Sequence, residues 1–258
     1  NFFASLLGTT VAPLVLPWLA TEYGWRTAFY LSAIPGLICA ALLWKIVREP
    51  ASVAAVAEAP AAVKPGLLSM LKQRNILVCC GISIFMISWY LVGIIFLPVY
   101  FTVMRGMTPE VAGQVVAPMG IATMICGFVV PAISDRIGRK PAMVIFTFIG
   151  LITPISALHF AGPLWALSLL LLIGWTASGS FAVFMGVIPS ETVPKAMAAS
   201  SMGLVVGAGE IVGGVLSPTI SGWIADQTSL IAHMMVMMVC AFIGGMLSLF
   251  LTETAPGK

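Results

Sequence analysis

The chain has 258 residues, of which 60% are hydrophobic and only 8% are charged, and its mean hydropathy is +1.09. Soluble globular domains have roughly 25% charged residues, so this composition excludes a water-soluble enzyme. The net charge is only +3 and the basic residues are scattered, which excludes a nucleic-acid-binding surface. The lipid bilayer is therefore the expected environment.

Apolar runs along the sequence predict eight helices and no strands. The predicted helices are 3–20, 27–46, 76–103, 111–133, 142–160, 164–188, 202–225 and 230–251. The alternating pattern of a membrane β-barrel is absent. A helix also satisfies its own backbone hydrogen bonds, as any segment inside lipid must. The predicted fold class is an all-α polytopic membrane protein.

Residues 47–75 form the one long polar gap and predict a linker that ends in a short amphipathic helix at the membrane surface. If the linker is cytoplasmic, ten of the twelve Lys and Arg residues lie on that side. These ten are Lys45, Arg48, Lys64, Lys72, Arg74, Arg136, Arg139, Lys140, Lys195 and Lys258, against Arg26 and Arg105 on the other side. The asymmetry predicts a protein of a bacterial-type inner (plasma) membrane, with the linker and the C-terminus cytoplasmic.

An internal repeat relates the first predicted helix to the seventh. Four residue pairs match without a gap at an offset of 205, namely Gly8/Gly213, Pro13/Pro218, Trp18/Trp223 and Ala20/Ala225. The offset predicts a repeating unit of six helices, which is a transporter architecture. Residues 1–46 then hold the last two helices of an N-terminal six-helix bundle, and residues 76–258 form a C-terminal one. Since residue 1 is Asn, we expect the chain to come from the inside of a longer protein.

The segment that follows the fourth predicted helix reads Pro131-Ala-Ile-Ser-Asp-Arg-Ile-Gly-Arg-Lys-Pro141. It resembles the loop signature Gly-x-Leu-Ala-Asp-Arg-x-Gly-Arg-Lys/Arg of the major facilitator superfamily, with Pro131 in place of the first Gly. Residues 23–30 and 189–195 are similar to two further links of that family. The resemblance implies a fold of six plus six helices, of which this chain holds the fifth to the twelfth.

In this signature the residues Asp135, Arg136, Gly138, Arg139 and Lys140 match the family. The resemblance implies a gating role, in which Asp135 makes ion pairs or helix N-terminal contacts in one conformation only. Glu191 is the expected partner of Arg139, since both lie on predicted cytoplasmic loops. The alternative is that the three cations only anchor the loop on the cytoplasmic side.

Glu210 is the only acidic residue well inside a predicted helix. An ionisable side chain at membrane depth is a candidate functional site because it is costly to hold in lipid. Gly203, Gly207 and Gly214 share its helical face, so we expect the carboxylate to face protein or a water-filled cavity. Glu210 is therefore the candidate for proton coupling. The alternative is a structural carboxyl group that is hydrogen-bonded across a helix interface.

The resemblance implies that the helices at 76–103 and 164–188 line the central cavity. The cavity candidates are Trp89, Tyr90, Trp175, Thr176 and Ser178, as an aromatic wall with hydroxyl groups for an oxygen-bearing ligand. Ordinary helix packing is the alternative for each. His159 and His233 are interpreted as interfacial rings and the five cysteines as buried free thiols. No residue spacing indicates a metal or cofactor site.

The leading functional prediction is a monomeric secondary transporter that moves a small metabolite, an organic anion or a sugar acid, by proton-coupled alternating access. The first alternative is a drug/proton antiporter. Residues 8–17 keep only Gly8 and Pro13 of that branch's Gly-x-x-x-Gly-Pro-x-x-Gly-Gly motif, which favours metabolite uptake. The second alternative is a non-transporting scaffold or a truncated gene product. No catalytic motif supports an intramembrane enzyme.

Overall fold

Long helices make up the computed structural model, which describes residues 11–46 and 70–255. Within these residues there are eight of them and no strand. They are α1 (Ala12–Tyr23), α2 (Trp25–Ile46), α3 (Arg74–Val103), α4 (Pro109–Ile137), α5 (Arg139–His159), α6 (Leu164–Thr192), α7 (Lys195–Gln227) and α8 (Ile231–Ser248). Helices α2 to α8 are long and apolar enough to cross a membrane. The all-α polytopic class is confirmed.

The described helix bounds lie within four residues of the predicted ones except at the start of α7, which begins at Lys195 and not at 202, and they also differ at the charged signature. The predicted loop at 131–141 is wrong, because α4 continues to Ile137 and α5 begins at Arg139. Only Gly138, with a φ of 110°, separates the two helices. The first predicted residues of α1 and most of the predicted linker, with its amphipathic helix, lie outside the described residues.

Two of the long helices contain turns that are not α-helical. In α6 a 3₁₀ turn at Thr176–Ser180 is followed by a π turn at Val183–Val187. In α7 the residues Gly209–Leu216 form a π-helix. Such segments make weaker or shifted backbone hydrogen bonds and often mark functional sites in membrane helices.

Helix α3 lies at the centre of the described bundle and packs against both α7 and α8. Helix α6 packs through its 3₁₀ turn against α4 and α5. The interior holds large side chains that are fully buried, among them Met86, Trp89, Phe101, Trp175 and Phe184. The bundle formed by α3 to α8 is therefore tightly packed.

Glycines set the closest contacts between these helices. A Cβ atom on Gly213 of α7 would lie 2.3 Å from the backbone oxygen of Ile84 in α3. On Gly179 of α6 it would lie 2.3 Å from the backbone oxygen of Cys126 in α4. Small residues let the backbones approach where lipid provides no hydrophobic drive for association.

Helices α1 and α2 lie at the edge of the bundle. Helix α1 packs on the first turns of α4, and an apolar cavity of about 600 Å³ lies between α1, α2, α3 and α4. Along α2 only Ala28 is buried, and Trp44 is 91% exposed. The two tryptophans of the predicted repeat, Trp18 and Trp223, are both exposed. The division into two bundles stays a prediction.

Changing Gly213 to Ala should destabilise the protein by about 1–3 kcal/mol, because its Cβ would meet backbone that cannot move aside. Gly222→Ala is the matched control on the same helix, since the nearest atom to its Cβ would be on Phe96 at 4.0 Å. Removing a helical Gly there should stabilise by about 0.5–1 kcal/mol. Thermal unfolding of the purified protein in detergent measures both. Equal effects of the two substitutions would contradict the glycine contact.

Candidate functional site

Arg139 is the centre of a charged cluster at one end of the bundle. Its side chain is only 7% exposed. Its Nη2 and Nε atoms donate to the two carboxylate oxygens of Glu191 at 2.8 and 3.3 Å. Its Nη1 atom donates to the hydroxyl of Ser134 at 2.8 Å and to the carboxylate of Asp135. The predicted pair of Arg139 and Glu191 is therefore present, and it links α5 to α6.

The carboxylate of Glu253, a residue that follows α8, accepts hydrogen bonds at the N-terminus of α5. We expected Asp135 to make ion pairs or helix N-terminal contacts. It makes an ion pair with Arg139, but it lies in α4 and its side chain is 63% exposed. Glu253 accepts instead from the backbone N–H groups of Arg139 at 2.8 Å and of Lys140 at 3.1 Å. These are among the N–H groups that have no partner within the helix. No sequence pattern indicates this role for Glu253, because it lies 114 residues from Arg139 in the chain.

Gly138 is required by this arrangement. Its φ of 110° is rarely adopted by residues with a side chain, and a Cβ atom there would lie 2.6 Å from Oε2 of Glu253. The glycine of the signature therefore both turns the chain between α4 and α5 and leaves space for the capping carboxylate. Arg136 and Lys140, the other two cations of the signature, flank this turn.

Residues 249–255, which we call the C-terminal strap, tie three helices together. The Asn75 side chain at the start of α3 donates to the carbonyl of Thr252 at 3.1 Å and accepts from its backbone N–H at 2.9 Å. The hydroxyl of Thr254 donates to Glu191 of α6 at 2.7 Å. Together with the bonds from Glu253 to the first N–H groups of α5, these bonds fix the ends of α3, α5 and α6 to each other.

The electrostatics of the strap favour ionised Glu253. Burial opposes the charge, but backbone N–H groups of Ala255, Arg139, Lys140 and Thr254 donate to the carboxylate. Their combined effect is larger, so they hold the pKa of Glu253 below its ordinary value.

The predicted aromatic wall is largely interior packing. Trp89 and Trp175 are fully buried, with ring centroids 4.6 Å apart. The indole N–H of Trp89 donates to the carbonyl of Gly150 at 3.1 Å, and that of Trp175 to the hydroxyl of Thr123 at 3.0 Å. Ser178 is 6% exposed and donates to the carbonyl of Trp175. Expecting these three side chains to line a cavity was wrong, because other protein groups occupy their polar atoms.

Three partly exposed side chains from different helices lie at the edge of this packing. Tyr90 of α3 has its ring 5.3 Å from those of Trp175 and Phe181. Its hydroxyl lies next to Thr123 of α4, whose hydroxyl accepts from Trp175 and donates to the carbonyl of Met119 at 3.0 Å. Thr176 is also partly exposed, but its hydroxyl donates back to the carbonyl of Ile173. We call Tyr90, Thr123 and Phe181 the aromatic-hydroxyl patch.

Glu210 lies on an exposed face of the π-helix in α7. Of the three glycines expected beside it, Gly203 and Gly207 have open space around them in the described part of the chain. The close helix contact is made by Gly209 and Gly213 instead. The expected tight interface at Glu210 was therefore wrong, because it lies on the neighbouring face of the helix.

The cysteines and histidines divide by burial. All five cysteines are free, as predicted, but Cys39 is exposed while Cys79, Cys80 and Cys240 are buried. His159 is exposed, whereas His233 is 1% exposed and was wrongly interpreted as an interfacial ring. In residues 11–46 and 70–255 no group of three or more His, Cys, Asp or Glu side chains could hold a metal ion.

A bundle of membrane-length helices, with a charged cluster at one end and a glycine turn inside that cluster, defines an integral membrane protein. Residues 1–211 match the Major Facilitator Superfamily. The chain belongs to this family.

Two curated relatives are named as transporters of organic acids. The chain is 29% identical over 222 residues to a "Probable 4-methylmuconolactone transporter" of Cupriavidus pinatubonensis, covering 82% of this chain and 51% of that protein. It is 27% identical over 266 residues to a "Cis,cis-muconate transport protein" of Acinetobacter baylyi, covering 96% of this chain and 62% of that protein. The chain thus spans between about half and two thirds of the length of these relatives.

Glu253→Gln should lower stability by about 1 kcal/mol at neutral pH, because a neutral amide is a weaker cap for α5. A lowered folded-state pKa contributes stability above the unfolded-state pKa, about 4.3, and this is lost as pH falls through the folded-state pKa. The difference in unfolding midpoint between wild type and variant should therefore shrink below about pH 4. Glu22→Gln, at an exposed site on α1, is the control. A difference that stays constant down to pH 3 would contradict the capping role.

Proposed function

We propose that this chain is the greater part of a secondary transporter for small unsaturated organic acids. Family membership supports a transporter, and the names of both relatives support an organic acid as the solute. The observation that carries the proposal within the chain is the aromatic-hydroxyl patch on α3, α4 and α6.

The patch has the chemistry that such a solute requires. The rings of Tyr90 and Phe181 offer an apolar surface to a planar unsaturated carbon chain. The hydroxyl group of Tyr90 offers a donor to a carboxylate oxygen, and a hydrogen bond to a charged group is stronger than one between neutral groups. Binding of the carboxylate between α3 and α4 would couple the solute to the packing of both helices.

The charged cluster supports alternating access. Arg139 holds α4, α5 and α6 together through Asp135 and Glu191, and the C-terminal strap adds α3. All these bonds lie at one end of the bundle, so breaking them releases that end while the other end stays packed. We propose that this cluster is closed when the transporter is open to the opposite side.

Glu210 is the proposed coupling residue. It is a carboxylate in the middle of a helix that is long and apolar enough to span the membrane, in a π-helical segment next to the contact with α3. A group that gains and loses a proton there would change the charge of the face that the transporter presents to its cavity. We propose that solute and proton move in the same direction, in a monomer whose linker and C-terminus are cytoplasmic in a bacterial-type inner membrane.

The two alternatives have less support. A drug/proton antiporter remains compatible with family membership, but the two named relatives carry organic acids. A non-transporting scaffold has no need of a single-glycine turn filled by a capping carboxylate between two spanning helices.

Cells that express the complete gene should accumulate labelled cis,cis-muconate. Tyr90→Phe should raise KM about tenfold, because a hydrogen bond to a charged carboxylate is lost. Thr102→Val is the control, since the Thr102 hydroxyl donates to the carbonyl of Val99 in its own helix. Absence of muconate uptake would overturn the proposed solute, and an unchanged KM in Tyr90→Phe would overturn the proposed site.

Two further variants separate gating from coupling. Asp135→Asn should slow both net uptake and solute exchange across the membrane, because the cluster around Arg139 is weakened. Glu210→Gln should keep exchange and lose accumulation driven by a proton gradient, because the side chain can no longer carry a proton. Glu110→Gln, a partly exposed site at the start of α4, is the control. Uptake by Asp135→Asn at the wild-type rate, with normal surface expression, would rule out gating by this cluster. Proton-driven accumulation that survives in Glu210→Gln would place coupling elsewhere.

A further inference from the structure

His233 joins three helices at the end of the bundle opposite to the Arg139 cluster. It lies in the first turn of α8 and is 1% exposed. Its Nδ1 atom is 2.6 Å from the hydroxyl oxygen of Ser221 on α7. Its ring stacks on that of Phe96 on α3, with the centroids 3.6 Å apart and the planes within 6°. The imidazole of α8 therefore contacts both α3 and α7 directly.

A buried histidine differs from the other buried polar residues of the described chain. Those are Arg139, which stays charged, and serine, threonine and asparagine side chains, which stay neutral. Histidine is the side chain that changes its charge close to neutral pH. An ionisable residue in a membrane-spanning helix is costly to hold and is a candidate functional site for that reason.

The surroundings can accommodate both charge states of the ring. The face of Phe96 attracts a cation placed over it. The titratable groups on the elements packed around this end are Asp226 on α7, Tyr100 on α3 and His159 on α5. The exposed carboxylate of Asp226 interacts electrostatically with the ring. Burial opposes the charged state of the ring, whereas the Asp226 carboxylate favours it.

Protonation reverses the hydrogen bond to Ser221 when the neutral ring carries its proton on Nε2. When Nδ1 carries no proton, the serine hydroxyl donates to it. When both ring nitrogens carry protons, Nδ1 donates and the serine oxygen accepts. The serine proton then needs another acceptor, which a helix provides at the carbonyl four residues earlier, here Ser217. The proton on His233 thus changes a bond between α7 and α8.

We infer that His233 is a proton-binding residue of the transporter, which takes up a proton from the non-cytoplasmic side and uses it to change the packing of α8 on α3 and α7. The inference rests on the proposed transport function and adds a second proton site to Glu210. In the orientation set by the Lys and Arg residues, His233 lies at the non-cytoplasmic end. This is the side that a proton gradient makes acidic in a bacterial inner membrane.

Proton binding can be measured without any transport assay. The chain has only two histidines, so a tag-free His159→Gln protein in lipid nanodiscs gives one histidine signal in NMR. The ring resonances of His233 should titrate between about pH 5 and pH 8. Ser221→Ala should shift the midpoint, because both states lose their bond to the serine hydroxyl and the two bonds differ in strength. Resonances that do not move over this range would overturn the inference.

Transport then tests what the proton does. Vesicles with an imposed gradient of one pH unit sustain about tenfold accumulation for each coupled proton. His233→Gln should keep exchange of labelled cis,cis-muconate and lose about tenfold in its accumulation, whereas His159→Gln should match the wild type. Normal accumulation by His233→Gln would overturn the coupling role. Wild-type vesicles that move no muconate would instead overturn the proposed function, and the NMR titration would still decide proton binding.

Discussion

Close approach of helix backbones at glycine is the constraint on which the rest of this bundle depends. Lipid tails are as apolar as the side chains, so burying an apolar side chain between helices gains little hydrophobic free energy. Complementary shape and close van der Waals contacts therefore decide which helices associate. Gly209 and Gly213 bring α7 onto α3, Gly179 brings α6 onto α4, and Gly174 brings α6 against Thr153 of α5. Glu210 and each residue of the proposed solute site lie on a helix that one of these contacts positions.

The same glycines coincide with the irregular turns. Gly179 lies in the 3₁₀ turn of α6, and Gly209 and Gly213 lie in the π-helix of α7. The tightest contacts of the bundle are therefore made by the backbone segments with the least regular hydrogen bonding. A helix that exchanges a π turn for an α turn rotates the residues beyond it, so these segments can change the face they present without unfolding.

The sequence predicted those features that depend on local pattern. Apolar runs placed every described helix, and charge on opposite loops suggested the pair of Arg139 and Glu191. The sequence did not predict which face of a helix points to a cavity, or which residues far apart in the chain are in contact. Trp89 and Trp175 lie on the predicted helices, but a helix that is apolar all round gives no signal for which side faces a cavity. The face of Glu210 was misplaced because a spacing of 3.6 residues per turn does not hold in a π-helix.

The cap of α5 also has a consequence for biogenesis. Glu253 follows Arg139 by 114 residues in the chain. Because a protein is synthesised from its N-terminus, α5 enters the membrane before the carboxylate that caps it exists, and three more spanning helices follow first. The N–H groups at the start of α5 must therefore be satisfied by water at the membrane surface during this interval. Docking of the strap is thus the step at which the ribosome's product first acquires a closed charged cluster.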